Sequence, residues 1–126
     1  MNEENTKRLY AKYPQLFIQS NLSLTQSPMS FGFEHEDGWY NIIDKLCADI
    51  MEHVNTAEIP VPQFAQVKEK FGCLRIYMDY SDETVDAMVD LAEDQSKTVC
   101  EVCGNSGKLT VKNRWAIVRC DGCLTT

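Results

Sequence analysis

Two pairs of cysteines near the end of the chain constrain its folding more than any other feature: Cys100-Glu101-Val102-Cys103 and Cys120-Asp121-Gly122-Cys123. Each pair can form a tight turn whose backbone amides point at its sulfurs, and the sixteen residues 104–119 separate the two. That spacing matches a four-cysteine zinc site. Between the pairs, Lys108–Val111 and Trp115–Arg119 read as short strands joined at Lys112-Asn113-Arg114, the layout of a zinc ribbon. Gly104 and Gly122 ease the knuckle turns, and Trp115 is expected in the ribbon's small core. Thiolates from Cys100, Cys103, Cys120 and Cys123 would fill all four tetrahedral positions and leave none for water or substrate. The expectation is therefore one structural Zn²⁺ rather than a redox or catalytic centre.

A length of 126 residues with 44% apolar content suits a single core, residues 1–97, with the ribbon, 98–126, rigidly attached. No apolar run approaches the roughly 18 residues of a membrane span. Met1-Asn2-Glu3-Glu4 lacks the basic-then-apolar pattern of a secretory signal. With four of six cysteines in knuckles, metal in a reducing cytoplasm is expected over disulfides. The net charge of −7 is uneven: residues 97–126 carry five basic and two acidic groups, +3, which leaves −10 on residues 1–96. A zinc held by four thiolates is itself −2, so the basic tail either balances that charge or contacts nucleic acid.

The remaining pattern predicts an α+β fold: a small antiparallel sheet packed with two amphipathic helices, plus the ribbon. A short helix over 2–13 ends at Pro14. Met29, Phe31 and Phe33 alternate with small residues and suggest a strand. Trp39, Ile42, Ile43, Leu46, Ile50 and Val54 form the stripe of the main helix, with Asp37 as its expected N-cap. Residues 63–79 read as a hairpin. A four-residue turn, Glu69–Gly72, would pair Val67 with Leu74 and Ala65 with Ile76, leaving Gln66, Lys68, Arg75 and Tyr77 on the other face. Ser81 is the expected cap of a second helix with Val85, Met88, Val89 and Ala92 inward.

Three further constellations carry chemistry. Lys68, Lys70 and Arg75 give the hairpin a basic face tipped by Phe71, suited to phosphates or an acidic protein surface, or to pairing with the acids of the next helix. Glu34, Glu36 and Asp37 surround His35, which is expected to be exposed; with Asp86 and Asp90 they form acidic surfaces that could dock a basic partner. His53 is expected at the edge of the main helix. Cys47 borders the stripe as a small hydrophobe, and Cys73 lies beside the hairpin turn. No zinc-protease, phosphate-loop or nucleophile-elbow motif is present, so an enzyme is not expected.

Asp37-Gly38-Trp39, Gln66-Val67-Lys68-Glu69-Lys70-Phe71-Gly72, Leu74-Arg75, Cys100-x-x-Cys103-Gly104, Gly107, Trp115 and Cys120-x-x-Cys123 together resemble a family of small phage and prophage proteins. The family commonly has glycine in place of Cys73, and often cysteine and glycine in place of His35 and Glu36. The resemblance implies a protein of the bacterial host cytoplasm with a C-terminal zinc ribbon. The resemblance supplies no activity; two functional expectations rest instead on the small acidic chain without an open catalytic site, and on its basic residues Lys68, Lys70, Arg75, Lys108, Lys112 and Arg114. One is a non-enzymatic protein-interaction module, a phage-encoded inhibitor or adaptor of a host or defence complex whose partner is a host or phage protein. The other is a nucleic-acid-binding accessory protein using the basic hairpin and ribbon.

Overall fold

The computed structural model describes residues 1–21 and 27–124, and within them the chain is α+β. Helix α1 (Glu3–Lys12) starts where the Asn2 side chain accepts from Asn5 N, with Glu3 and Glu4 in the first turn and Lys12 in the last, each suited to the helix dipole. Leu9 is its buried anchor. Pro14 follows at the start of a short 3₁₀ turn.

The expected strand through Met29, Phe31 and Phe33 is reduced to β1 (Phe33–Glu34). Pro28–Phe31 instead forms a 3₁₀ turn, since proline suits its first position and Ser27 Oγ accepts from Met29 N. Of the region 15–37, residues 22–26 lie outside the described part.

Helix α2 (Tyr40–Ala57) buries Ile42, Ile43, Leu46, Cys47, Ile50 and Val54 along one side, as the periodicity predicts. It ends at Glu58 in the left-handed region. Asp37 does not cap it. That carboxylate accepts from the backbone and side chain of Asn2 and from Asn5 Nδ2, tying the start of α1 to the approach of α2. A 3₁₀ turn, Asp37–Trp39, supplies the first turn in its place.

β1 pairs in parallel with β2 (Phe64–Lys70), and β2 pairs antiparallel with β3 (Cys73–Met78), so the sheet order is β1-β2-β3. A parallel pair needs a long crossover, which α2 provides. The hairpin loop is two residues, Phe71-Gly72, rather than four, and Val67 pairs with Ile76 and Glu69 with Leu74. This differs from the expected register by two positions. Such a slip keeps every side chain on its own face, so hydrophobic alternation cannot choose between the two. Turn geometry chooses: Phe71 (φ 53°) and Gly72 (φ 87°) both take positive φ, the backbone of a tight hairpin loop that matches strand twist. A register shift between Phe64 and Gln66 then brings Phe64 into the core in place of Ala65.

Helix α3 (Glu83–Ser96) is capped by Asp82, whose carboxylate accepts from Val85 N, not by Ser81. It buries Val85, Val89, Ala92 and Ser96 against β3 and α2, with Met88 half-buried. Ser96 Oγ accepts from Leu74 N, so a polar group sealed in this seam is satisfied. The core between sheet and helices is finished by aromatic contacts: Phe17 stacks on Phe64 at 4.8 Å and meets Phe33 edge-on.

Gly38 sits where this core meets the C-terminal segment. A Cβ there would lie 2.0 Å from Cys100 O and 2.4 Å from Glu101 O. Gly38→Ala is therefore expected to lower stability by about 3 kcal/mol or more, the upper range for an overpacked site, measurable by urea unfolding. An unchanged midpoint would show that the seam yields.

Candidate metal centre

The cysteine segment begins directly after α3. Val99 forms a bridge to Ser106, Cys100 N donates to Asn105 O (2.7 Å), and Gly104 N donates to Cys100 O (2.9 Å). Gly104 adopts φ 84°, which closes this first knuckle at little steric cost. Strands β4 (Lys108–Lys112) and β5 (Trp115–Arg119) then form a two-stranded antiparallel sheet with a two-residue loop, Asn113-Arg114, both residues left-handed. The second knuckle closes with Cys123 N and Leu124 N donating to Cys120 O, at the short helix α4 (Asp121–Leu124).

These turns bring four sulfurs together. The Sγ atoms of Cys100, Cys103, Cys120 and Cys123 all lie within 4.8 Å of one another. A tetrahedral site with metal–sulfur bonds of about 2.3 Å has sulfur–sulfur edges of about 3.8 Å, so the cluster is of the right size for one ion. The Cys103–Cys120 separation of 3.5 Å fits such an edge and is far from a disulfide bond of about 2.05 Å.

Electrostatics fit the same chemistry. Cys100 is buried, which opposes ionisation, but the backbone amides of Cys103, Cys120 and Val102 directed at its sulfur outweigh this and lower its pKa to about 6. Hydrogen bonding with Cys120 and Cys103 pushes Cys123 up to about 12. One sulfur is thus prepared as an anion while a neighbour holds its proton, and an ion that displaces that proton would satisfy both. The cluster fits zinc binding, and all its ligands come from the chain.

The other expected site residues are dispersed, and several are engaged internally. Lys68 lies opposite Arg75 on the outer sheet face, and Arg75 sits 3.8 Å from Glu93 of α3. Lys70 approaches the Phe71 ring at 5.8 Å. An open cleft of about 400 Å³ between the hairpin tip and α3 mixes Lys70, Arg75 and Lys97 with Asp90, Glu93 and Asp94, and half-buried Cys73 lines it. The basic hairpin face is thus partly answered by helix acids. Glu34 accepts from Gln66 (3.3 Å), Asp86 accepts from Ser81 Oγ, and Asp37 is bound to Asn2 and Asn5. His53 Nε2 lies 2.7 Å from Asp82. Cys47 is fully buried, and burial pushes its thiol pKa well up, as expected of a small hydrophobe.

Two expectations reverse. His35 is not exposed: only 6% of it is accessible, its ring packing edge-on against Phe33 and tilted against Trp39. Phe33 and Trp39, two residues before and four after it, were the available signal for that burial. Its Nδ1 contacts Glu36 O at 2.7 Å, while Nε2 is buried with no hydrogen-bond partner. Trp115 is 74% exposed rather than central to the ribbon, whose interior is filled by Val118 and Cys100. Pattern reasoning also missed Glu101, a buried carboxylate that accepts from Glu36 N (3.1 Å). Burial, then proximity to Glu69 and Glu36, raises its pKa despite Arg119 nearby.

Burial lowers the His35 pKa from 6.5 to about 4. Between those values the unfolded chain binds more protons than the folded one, so stability rises with pH across that window and is lost on acidification. The contribution is on the order of 3 kcal/mol. His35→Phe should flatten the unfolding-midpoint profile between pH 4 and 6.5; an unaltered slope would sink this assignment. For the cluster, Cys103→Ser should abolish binding of one ion per chain and speed amide exchange over 99–119 while α2 stays protected. Exchange that accelerates equally in α2 would mean the cluster supports the whole fold.

No family profile, curated protein or solved structure matches this chain.

Proposed function

We propose that the chain is a non-enzymatic, zinc-binding protein-interaction module. Four thiolates select a soft or borderline ion, and tetrahedral sulfur coordination is the habit of structural zinc. The closed ligand set supports a structural ion whose task is to hold the β4–β5 sheet in place.

The observation that carries the interaction reading is an exposed apolar surface at the junction of hairpin and ribbon. Phe71 is 77% exposed, Val111 71% and Leu109 49%. Leu109 and Val111 share a face of the small sheet with Ala116 and Val118, their cross-strand partners. Gly72 packs on the Ala116 backbone, where an added Cβ would meet carbonyl atoms at 2.9 Å. The hairpin tip, with Phe71, is therefore held beside the strand pair that carries Val111. Grouped apolar side chains on a surface otherwise rich in charge are characteristic of contact sites. A small, acidic chain with a closed ligand set and a rigidly mounted ribbon suits a protein partner, a host or phage protein toward which it would act as inhibitor or adaptor. Asp90 is exposed and lines the same cleft as Phe71, so it could rim such a contact; Glu36 and Asp86 are exposed elsewhere, and Asp37 is committed internally.

The test is a paired affinity capture from bacterial lysate using the zinc-loaded chain and a Leu109→Asp/Val111→Asp variant. A protein retained by the first and lost by the second is expected. Identical capture profiles would refute this surface as the contact. Elemental analysis of the same preparations should find about one zinc per chain in both.

A further inference from the structure

The opposite face of the β4–β5 sheet has a different character. Directly paired residues of an antiparallel sheet share a face, and Lys108 pairs with Arg119, Thr110 with Ile117, and Lys112 with Trp115. No acidic residue occurs from Val102 to Cys120, a run that contains Lys108, Lys112, Arg114 and Arg119 in a chain of net charge −7. Lys108, Lys112, Arg114 and Trp115 are all exposed. Arg119 is not counted with them, because it is partly buried and close enough to Glu101 to favour that carboxylate's charged form.

We infer that this face binds single-stranded nucleic acid, with Trp115 as a base-stacking platform and Lys108, Lys112 and Arg114 as phosphate contacts. A large, exposed, planar side chain set among cations, on a run of chain that contributes no acid of its own, complements a polyanion whose bases are free to stack. Unpaired strands fit better than duplex, because bases within a duplex already stack on one another and offer the indole no face. The acidic remainder of the chain adds direction: its −10 charge repels phosphates from α3 and the outer core, so the strand would run along the ribbon. Lys112 Nζ donates to Leu124 O (2.8 Å), which places one cation near the closing turn of the second knuckle. The inference uses the face opposite to the apolar contact surface and is independent of any protein partner.

Fluorescence anisotropy of a labelled oligothymidylate of about 12 nucleotides, titrated with the zinc-loaded full chain, tests it. Binding should weaken with salt at a log–log slope of about −2, as three phosphate contacts on a single strand imply. Trp115→Ala should weaken binding about tenfold and Trp115→Phe much less, because stacking tolerates another ring. Lys112→Ala should shallow the salt slope by about 0.7. Intrinsic fluorescence gives a second readout: Trp39 is fully buried, so quenching on binding must come from Trp115. The inference is overturned by absence of binding at low salt, by unchanged affinity in Trp115→Ala, or by equal affinity for a matched duplex. Displacement by polyglutamate as effective as by unlabelled oligonucleotide would also overturn it, marking the face as a site for acidic protein. The Leu109→Asp/Val111→Asp variant, which tests the protein contact, should keep its quenching by the oligonucleotide, so the two readings fail separately.

Discussion

The approach to α2 and the first cysteine knuckle meet without side chains between them, and the rest of the molecule depends on that meeting. Gly38 N donates to Glu101 O, and the Gly38 backbone lies against both Cys100 and Gly104. One residue on, Trp39 is fully buried and its indole N–H donates to Val99 O at 2.9 Å. A buried hydrogen bond of this kind contributes about 1 kcal/mol net, while losing the indole from such a site would cost about 3–5 kcal/mol. Packing therefore dominates, and the hydrogen bond sets direction. The indole can be buried in the α2 core only if its N–H finds a carbonyl, and that carbonyl belongs to Val99, the residue just before the first metal ligand.

A second contact between core and ribbon, at Gly72 and Ala116, relies on the same device. Glycine lets backbone approach backbone where any Cβ would hold them apart. In both places a short motif legible in the sequence, Asp37-Gly38-Trp39 and Lys70-Phe71-Gly72, has a local meaning as a helix approach or a turn. Its second use, as a docking point for a segment dozens of residues away, is invisible to local pattern. Asp37 behaves likewise: its position suggests a helix cap, and its actual partners are Asn2 and Asn5.

His35 and Trp115 lie on the opposite side of the protein surface from what their sequence neighbours suggest, and for a common reason. His35 is flanked by charge in sequence and by aromatic rings in space, and the rings decide its burial. Trp115 is the largest side chain in the ribbon, but a two-stranded sheet closed on one side by sulfur ligands has room for little more than Val118 and Cys100. Hydrophobicity alone therefore overstates what so small a unit can bury. The residue left outside is available for contact, and with Val111 and Phe71 it gives the ribbon region its two unlike faces.

What the residues by themselves determined is whatever depends on short-range spacing. The stripes of α2 and α3 follow the helical repeat, the outer face Gln66, Lys68, Arg75 and Tyr77 follows strand alternation, and two Cys-x-x-Cys pairs define a four-sulfur cluster. Each is a local periodicity that any packing must respect. Tertiary structure decided the hairpin register, because two registers place every side chain on the same face and only the conformation of Phe71-Gly72 separates them. It also decided which carboxylates are spent on the fold and which aromatics remain outside. Those outcomes depend on the volume left once distant segments have met, and residue spacing along the chain carries no measure of that volume.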